Sequence, residues 1–275
     1  MSKKCDYNSS KTRVCPAFVV IKENPEPFFK LLSTKLGIMT DDVVLEEIEF
    51  AIAGKKKEKA LNPNPEYLQW LLRNPEKTEI SKRLSGCEPL SLSKNARCRL
   101  KLLNGSQAEK ADLLREGLDG IKSCKSCERY GKRWFILEGA TKPDVFIKTN
   151  KFYLVIEGKR TEGGPKIDTY WKRNRHQIVR HLEGLKQYSS SSLPKYGIFI
   201  VRGRDADKFK IYDSITPFKE SLPHDNELAI TIKNMYKGVL TWGELYSAYC
   251  GNIKYIDYIE SDGTEILSND YDLND

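Results

Sequence analysis

Apolar positions recur along this chain first with a helical period and then with a strand period. Pro25 to Leu36 places Phe28, Phe29, Leu31, Leu32 and Leu36 on a helical pattern that Gly37 ends. Thr40 to Ala53 reads as a second helix, with Asp41 and Asp42 in its first turn, where the helix dipole favours acids. Pro65–Arg73 and Ser91–Leu103 are further helices, and Lys55–Lys59 is a solvated charge run. Ser106 to Ile121 is amphipathic, with Ala111, Leu114, Leu118 and Ile121 on one stripe. Three short β-type runs follow at Trp134–Glu138, Val145–Thr149 and Phe152–Glu157, separated by polar turns. After the break at Gly163-Gly164-Pro165, the pattern predicts a long helix from Asp168 to Tyr188, the serine run Ser189–Ser192, a strand at Tyr196–Val201 and another at Phe209–Asp213. Helices at 226–239 and 242–250 precede the acidic end.

The centre therefore reads αβββαβ, an α/β (α+β) class with a mixed sheet covered by helices. The expected organisation is a polar, poorly ordered lead over 1–16, a helical region over 17–104, a core domain over 105–250 and an acidic tail over 251–275. No repeat of fixed period is present.

Charge and composition narrow the function classes. The chain has 275 residues, 39% hydrophobic and 31% charged, and a formal net charge of +8. From Asp257 onward there are seven acids and no Lys or Arg. A basic body ahead of an acidic end points to a polyanionic partner. The opening MSKKC is basic, but the nearest apolar run, Ala17–Ile21, is too short for a secretory signal, and no stretch approaches a membrane span. Seven cysteines spread over such a length form no disulfide framework, so a reducing, cytoplasmic setting with no membrane partner is expected. Cys124-x-x-Cys127 has metal-pair spacing but lacks two further ligands, so free thiols are expected there. No phosphate-cradling G-x-x-x-x-G-K or G-x-G-x-x-G and no H-E-x-x-H is present, which disfavours ATP-driven chemistry.

The informative segment runs from Lys142 to Arg160. A hairpin turning at Asn150–Lys151 brings Asp144, at the start of one strand, beside Glu157, at the end of the next. The strand period of two puts Glu157 and Lys159 on one face and Gly158 on the other. Two carboxylates and an amine thus converge. Carboxylate oxygens suit a hard divalent ion such as Mg²⁺, which activates water and neutralises phosphate charge. The lysine is a point charge for a phosphate or an attacking water. No Ser/His or Cys/His pair suited to acyl transfer lies near. The competing reading of the same residues is an ordinary strand-end ion pair.

Pro143-Asp144 and Glu157-Gly158-Lys159, on a strand–turn–strand followed by a helix and a strand, resemble the PD-(D/E)xK nuclease superfamily of restriction-endonuclease-like folds. The resemblance covers roughly residues 106–202. It implies an Mg²⁺-dependent nuclease, with Mn²⁺ as a possible substitute, that hydrolyses phosphodiester bonds as an endonuclease on DNA. Asp144, Glu157 and the backbone carbonyl of Gly158 would be metal ligands, and Lys159 would orient water or stabilise charge. Glycine at 158 departs from the family, which more often has an apolar side chain there. Gln177-x-x-x-His181 resembles the family's Gln-x-x-x-Tyr pair, which adds Gln177 to the catalytic set. Relatives often supply an upstream carboxylate, for which Glu109, Glu116 and Glu138 are candidates. Between Lys142 and Lys186 there are eleven Lys/Arg and five Asp/Glu, and Lys172, Arg173 and Arg180 are the expected phosphate contacts. Restriction-type relatives are often homodimers. Two other readings stay open: a catalytically inactive nucleic-acid-binding protein of the same fold, and a partner-binding helical protein in which the hairpin is incidental.

Overall fold

The computed structural model describes residues 9–50, 58–84, 92–124, 133–160, 164–189, 191–260 and 264–267. Its elements in chain order begin with helices α1 (Cys15–Glu23) and α2 (Glu26–Leu36), strand β1 (Leu45–Phe50) and helices α3 (Pro65–Arg73), α4 (Ile80–Leu84), α5 (Lys94–Asn104) and α6 (Gln107–Ser123). Strands β2 (Val145–Thr149) and β3 (Tyr153–Gly158), helix α7 (Gln177–Tyr188) and strand β4 (Lys195–Val201) follow. The remainder is α8 (Thr216–Ser221), α9 (Asn226–Met235), β5 (Tyr236–Thr241), α10 (Trp242–Ala248) and a hairpin of β6 (Ile256–Ile259) and β7 (Glu265–Leu267). Local chemistry accounts for several boundaries. Gly37 ends α2 in the left-handed region at φ 62°. Ser106 and Glu109 form a reciprocal capping box on α6.

β1 to β5 form one mixed sheet in that order. β1–β2 and β2–β3 are antiparallel; β3–β4 and β4–β5 are parallel. The parallel step from β3 to β4 crosses over through α7, as parallel neighbours require. Strand parity sorts the apolar residues. Val145, Ile147, Leu154, Ile156, Ile198 and Ile200 face α1, α2 and α10, whereas Phe146, Val155, Phe199 and Val201 face α7 to α9. No helix among the described residues is long and apolar enough to cross a membrane.

The class is α/β, but several elements differ from those the sequence predicts. Residues 9–16, expected in a disordered lead, are helical: a π turn over Ser10–Val14 runs into α1. The reason is a stripe, Val14, Ala17, Phe18 and Ile21, that is buried on the sheet. The expected helix from Thr40 contains β1 instead, so the region 17–104 is not wholly helical. Glu47 and Glu49, two apart as on one strand face, share the Lys59 ammonium at 2.9 and 2.8 Å, and Glu46 pairs with Lys148 on β2. Trp134–Glu138 is not a strand. Two of its carbonyls, those of Trp134 and Ile136, and that of Arg133 just before it accept from the Arg99 guanidinium. The third antiparallel strand is therefore β1, far upstream. Phe209–Asp213 belongs to a 3-10 run, Gly203–Asp213, and the fifth strand is β5, which takes over the last residues of the helix expected at 226–239. The acidic end is anchored: Arg13 donates to the Ile256 carbonyl at 2.7 Å and Arg160 to Asp257 Oδ1 at 2.5 Å. Parts of the Lys55–Lys59 run and of the tail, and Cys87 and Cys127, lie outside the described residues.

Residues 51–144 are inserted between the paired strands β1 and β2. α3 to α6 and Trp134–Leu137 enclose their own apolar cluster around Tyr67, Leu71, Leu102 and Ile121. The two ends of the insertion are bridged to each other at Leu61 and Thr141. The insertion is joined to α7 and the segment before it by a fully buried ion cluster. Arg175 donates to Glu138 at 2.8 and 2.7 Å and to Glu183 on α7, and stacks 3.8 Å over the Tyr67 ring. Nearby His176, buried with Nδ1 3.0 Å from the Tyr212 hydroxyl, is pushed by burial down to about 4. Between about pH 6.5 and 4 the unfolded chain therefore binds more protons at this position. Stability contributed by His176 should be complete above pH 6.5 and fall as pH drops toward 4. The expected loss is about 1–2 kcal/mol after allowing for solvent screening. Urea titrations at pH 7 and 4.5 of wild type and His176→Gln check this; the variant should lose less.

Candidate functional site

The hairpin between β2 and β3 sets the site's geometry. Val145 pairs with Ile156, so the register continued by one step puts Asp144 opposite Glu157. By parity Glu157 and Lys159 lie on the sheet face that α7 covers. Lys159 Nζ donates to Glu157 Oε1 at 2.8 Å and to Gln177 Oε1 at 3.3 Å. Asp144, Glu157, Lys159 and Gln177 are thus brought together. Gln177 occupies the first position of α7 because residues 166–176 are a looped segment and not the helix that periodicity predicts. Asn174 there has φ 53°, which breaks a helix, and the Gln177 N–H is held by the Lys166 carbonyl.

Gly158 is explained by close approach. Its N–H donates to Asp144 Oδ2 at 2.8 Å, and a Cβ on it would stand 2.6 Å from Val14 and 3.1 Å from Trp242. An apolar side chain there would collide with the N-terminal helix. That helix completes the site. Ser10 Oγ donates to Asp144 Oδ1 at 2.7 Å and Ser9 Oγ to the Gly158 carbonyl at 3.3 Å. Trp242 Nε1 donates to the Lys159 carbonyl at 2.9 Å. Behind Glu157, His181 on α7 places Nε2 2.9 Å from Oε2 and Nδ1 2.8 Å from the Thr141 hydroxyl.

The two acids are electrostatically unequal. Burial and then the charge of Glu157 push the Asp144 carboxyl up to about 8, against the hydrogen bonds from Ser10 and Gly158 and the charge of Lys159. Burial also disfavours charge on Glu157, but the hydrogen bond from His181 and the Lys159 cation hold it below the usual carboxylate range. Burial keeps His181 below its ordinary value, against Glu157. The consistent arrangement is a neutral imidazole donating from Nε2 to an ionised Glu157 and accepting at Nδ1 from Thr141. Burial first, and then the nearby charge of Glu157, thus make the ionised form of Asp144 costly.

That donor set fits a hard divalent ion: two carboxylates and the Gly158 carbonyl, all oxygen. Among the described residues no group of three or more His, Cys, Asp or Glu side chains forms a metal-ligating cluster. The upstream candidates are occupied elsewhere. Glu109 caps α6 and pairs with Lys101, Glu116 accepts from Trp134 Nε1, and Glu138 is held by Arg175. The element that actually meets Asp144 is the N-terminal helix, which brings a serine. Nothing local in the sequence marks Ser10, 134 positions away, as a neighbour of Asp144.

The three expected phosphate contacts are not gathered on one helix face. Lys172 and Arg173 precede α7; Lys172 Nζ donates to the Arg173 carbonyl at 2.7 Å, and Arg173 pairs with Glu79 at 3.0 Å. Arg180 is turned inward to Glu138 at 3.3 Å and the Gly139 carbonyl at 3.4 Å. Compared with family models, with curated proteins and with solved structures, the chain matches none.

Proposed function

We propose that this chain is an Mg²⁺-dependent nuclease of the PD-(D/E)xK type that hydrolyses phosphodiester bonds in DNA. The observation that carries the reading is the facing pair Asp144 and Glu157 with Lys159 Nζ 2.8 Å from Glu157 and Gln177 beside it. The sheet supports it too: three antiparallel strands, then a helix crossover to a parallel strand, is the αβββαβ order with a module inserted after its first strand. A divalent ion bound here supplies a lowered water pKa and neutralises charge on the phosphate oxygens. Asp144, Glu157 and the Gly158 carbonyl would hold it. Lys159 places a fixed positive charge beside the acids, where a phosphate oxygen or an attacking water is stabilised. Gln177 and Glu157 restrain that ammonium, and the Thr141–His181 chain fixes the rotamer of Glu157.

Incubating the purified protein with plasmid, linear duplex and single-stranded DNA, in Mg²⁺, Mn²⁺ or chelator, tests the proposal. Cleavage that requires the divalent ion is expected. Intact substrate in every condition overturns the nuclease reading. One observation favours an inactive binding protein of the same fold: all four carboxylate oxygens of the pair accept hydrogen bonds from the protein, with Ser10 where an upstream acid could stand. The cleavage assay separates the readings, and Ser10→Ala tests what the serine does in a protein that cleaves. If Ser10 positions Asp144 for catalysis, cleavage should fall about tenfold, near 1.4 kcal/mol, and Ser10→Thr should restore it.

A further inference from the structure

We propose that the exposed face of α5, centred on Lys94 and Arg97, is the surface on which the nucleic-acid backbone lies. The inference rests on the nucleic-acid reading above. It starts from where the chain keeps its charge. Of the 46 Lys and Arg and 38 Asp and Glu, residues 51–144 carry 20 and 12, which leaves 26 of each elsewhere. The whole net charge of +8 therefore resides in the module inserted between β1 and β2. The part that builds the sheet is neutral overall.

Within that module α5 holds four cations and no acid. Two are committed. Arg99 turns inward to the carbonyls of Trp134 and Ile136 and lies 4.6 Å over the Trp171 ring, and Lys101 pairs with Glu109 at 2.9 Å. Lys94 and Arg97 are exposed, three residues apart and so on one face, and neither has an acidic partner among the described residues. Two unpaired like charges side by side disfavour the free helix slightly and favour a polyanion strongly, since each phosphate contact releases condensed counterions. The inner side of the module is fastened to the segment that leads into Gln177. Arg99 stacks on Trp171, the Glu79 N–H donates to the Trp171 carbonyl at 2.9 Å, and Arg83 lies 3.9 Å over Tyr170. A strand held on α5 is thus held by a body fastened to the loop that delivers Gln177 to the candidate site. This assigns backbone contact to the insertion and not to Arg180, whose charge is paired inward with Glu138, or to Lys172, whose ammonium is bound to the Arg173 carbonyl.

The test measures binding without cleavage. Full-length Asp144→Ala protein in chelator is titrated with a short fluorescein-labelled duplex, and anisotropy is followed across a salt series. Adding Lys94→Glu and Arg97→Glu should weaken binding at least tenfold at about 0.1 M salt and reduce the log–log salt slope by roughly 2, near 0.9 for each phosphate that is no longer neutralised. Lys22→Glu with Lys30→Glu, exposed cations on α1 and α2, changes net charge equally and should stay within about twofold. Circular dichroism confirms that each variant is folded. Equal weakening by both pairs would show a response to overall charge, and unchanged binding by the α5 pair would show that the backbone lies elsewhere; either overturns the inference. Poly-L-glutamate bound as tightly as DNA also overturns the phosphate assignment. Binding that depends on α5 in a protein that never cleaves leaves this inference standing and sinks the nuclease reading. Cleavage indifferent to the α5 pair does the reverse.

Discussion

Asp144→Asn and Lys159→Ala should each abolish divalent-dependent cleavage, by roughly 10²–10³-fold or more, while the protein stays folded. The two variants act on different groups. Asparagine at 144 keeps the shape: its Oδ1 can accept from the Gly158 N–H, and its NH2 can donate to Ser10 Oγ once that hydroxyl turns to accept. It removes the anionic oxygen a metal needs. It also removes a carboxyl whose charged form is penalised by burial and by Glu157. The variant should therefore be at least as stable as wild type, so that a fall in activity is not a fall in folded protein. Alanine at 159 removes the cation 2.8 Å from Glu157 but leaves the carboxylates. It should retain metal binding, measured by isothermal titration with Mn²⁺, that Asp144→Asn loses. Wild-type-level cleavage by Asp144→Asn would sink the site assignment. Equal loss of Mn²⁺ binding in both variants would remove the division of roles between acid and lysine.

The largest effect on stability is expected at Arg175, whose side chain is fully buried. Arg175→Met keeps much of the apolar stem over Tyr67 but strands Glu138 and Glu183 without their shared cation. Removing one partner from a buried ion cluster costs about 3–5 kcal/mol, because the remaining charges stay desolvated. The carboxylates are not equivalent. Burial works against Glu138, but Arg175 and Arg180 still hold it low, whereas burial raises Glu183 in spite of Arg175. Glu183 carries its proton more readily, so Glu183→Gln should cost less than Glu138→Gln. Adding both glutamines to Arg175→Met should recover part of the loss. Urea denaturation, read as a midpoint shift at constant slope, checks the series. An Arg175→Met loss below about 1 kcal/mol would mean that water reaches the cluster.

What the sequence determined by itself is what depends on near neighbours. Alternation in β2 and β3 and the turn between them set the hairpin register, and with it the opposition of Asp144 and Glu157 and the shared face of Glu157 and Lys159. Gly37 and the Ser106/Glu109 capping box mark helix ends because caps are local hydrogen bonds. The tertiary structure decided whatever depends on distant partners. Leu45–Phe50 has apolar spacing that suits helix or strand. It became a strand because β2 offers a hydrogen-bonding edge and Lys59 collects the glutamates of one face. Trp134–Glu138 has strand composition, yet the carbonyls of Trp134 and Ile136 go to Arg99 and not to a neighbouring strand. Residues 168–176 carry helical periodicity, but the burial of Arg175 between two acids and the positive φ of Asn174 hold them in a loop that delivers Gln177 to Lys159. Ser10 was invisible for the same reason. A serine has no periodic signature, and only the packing of α1 on the sheet, where Gly158 leaves room for Val14, brings its hydroxyl to Asp144. Periodicity encodes which face of an element is apolar; which element covers that face is settled by long-range burial and by the pairing of buried charges.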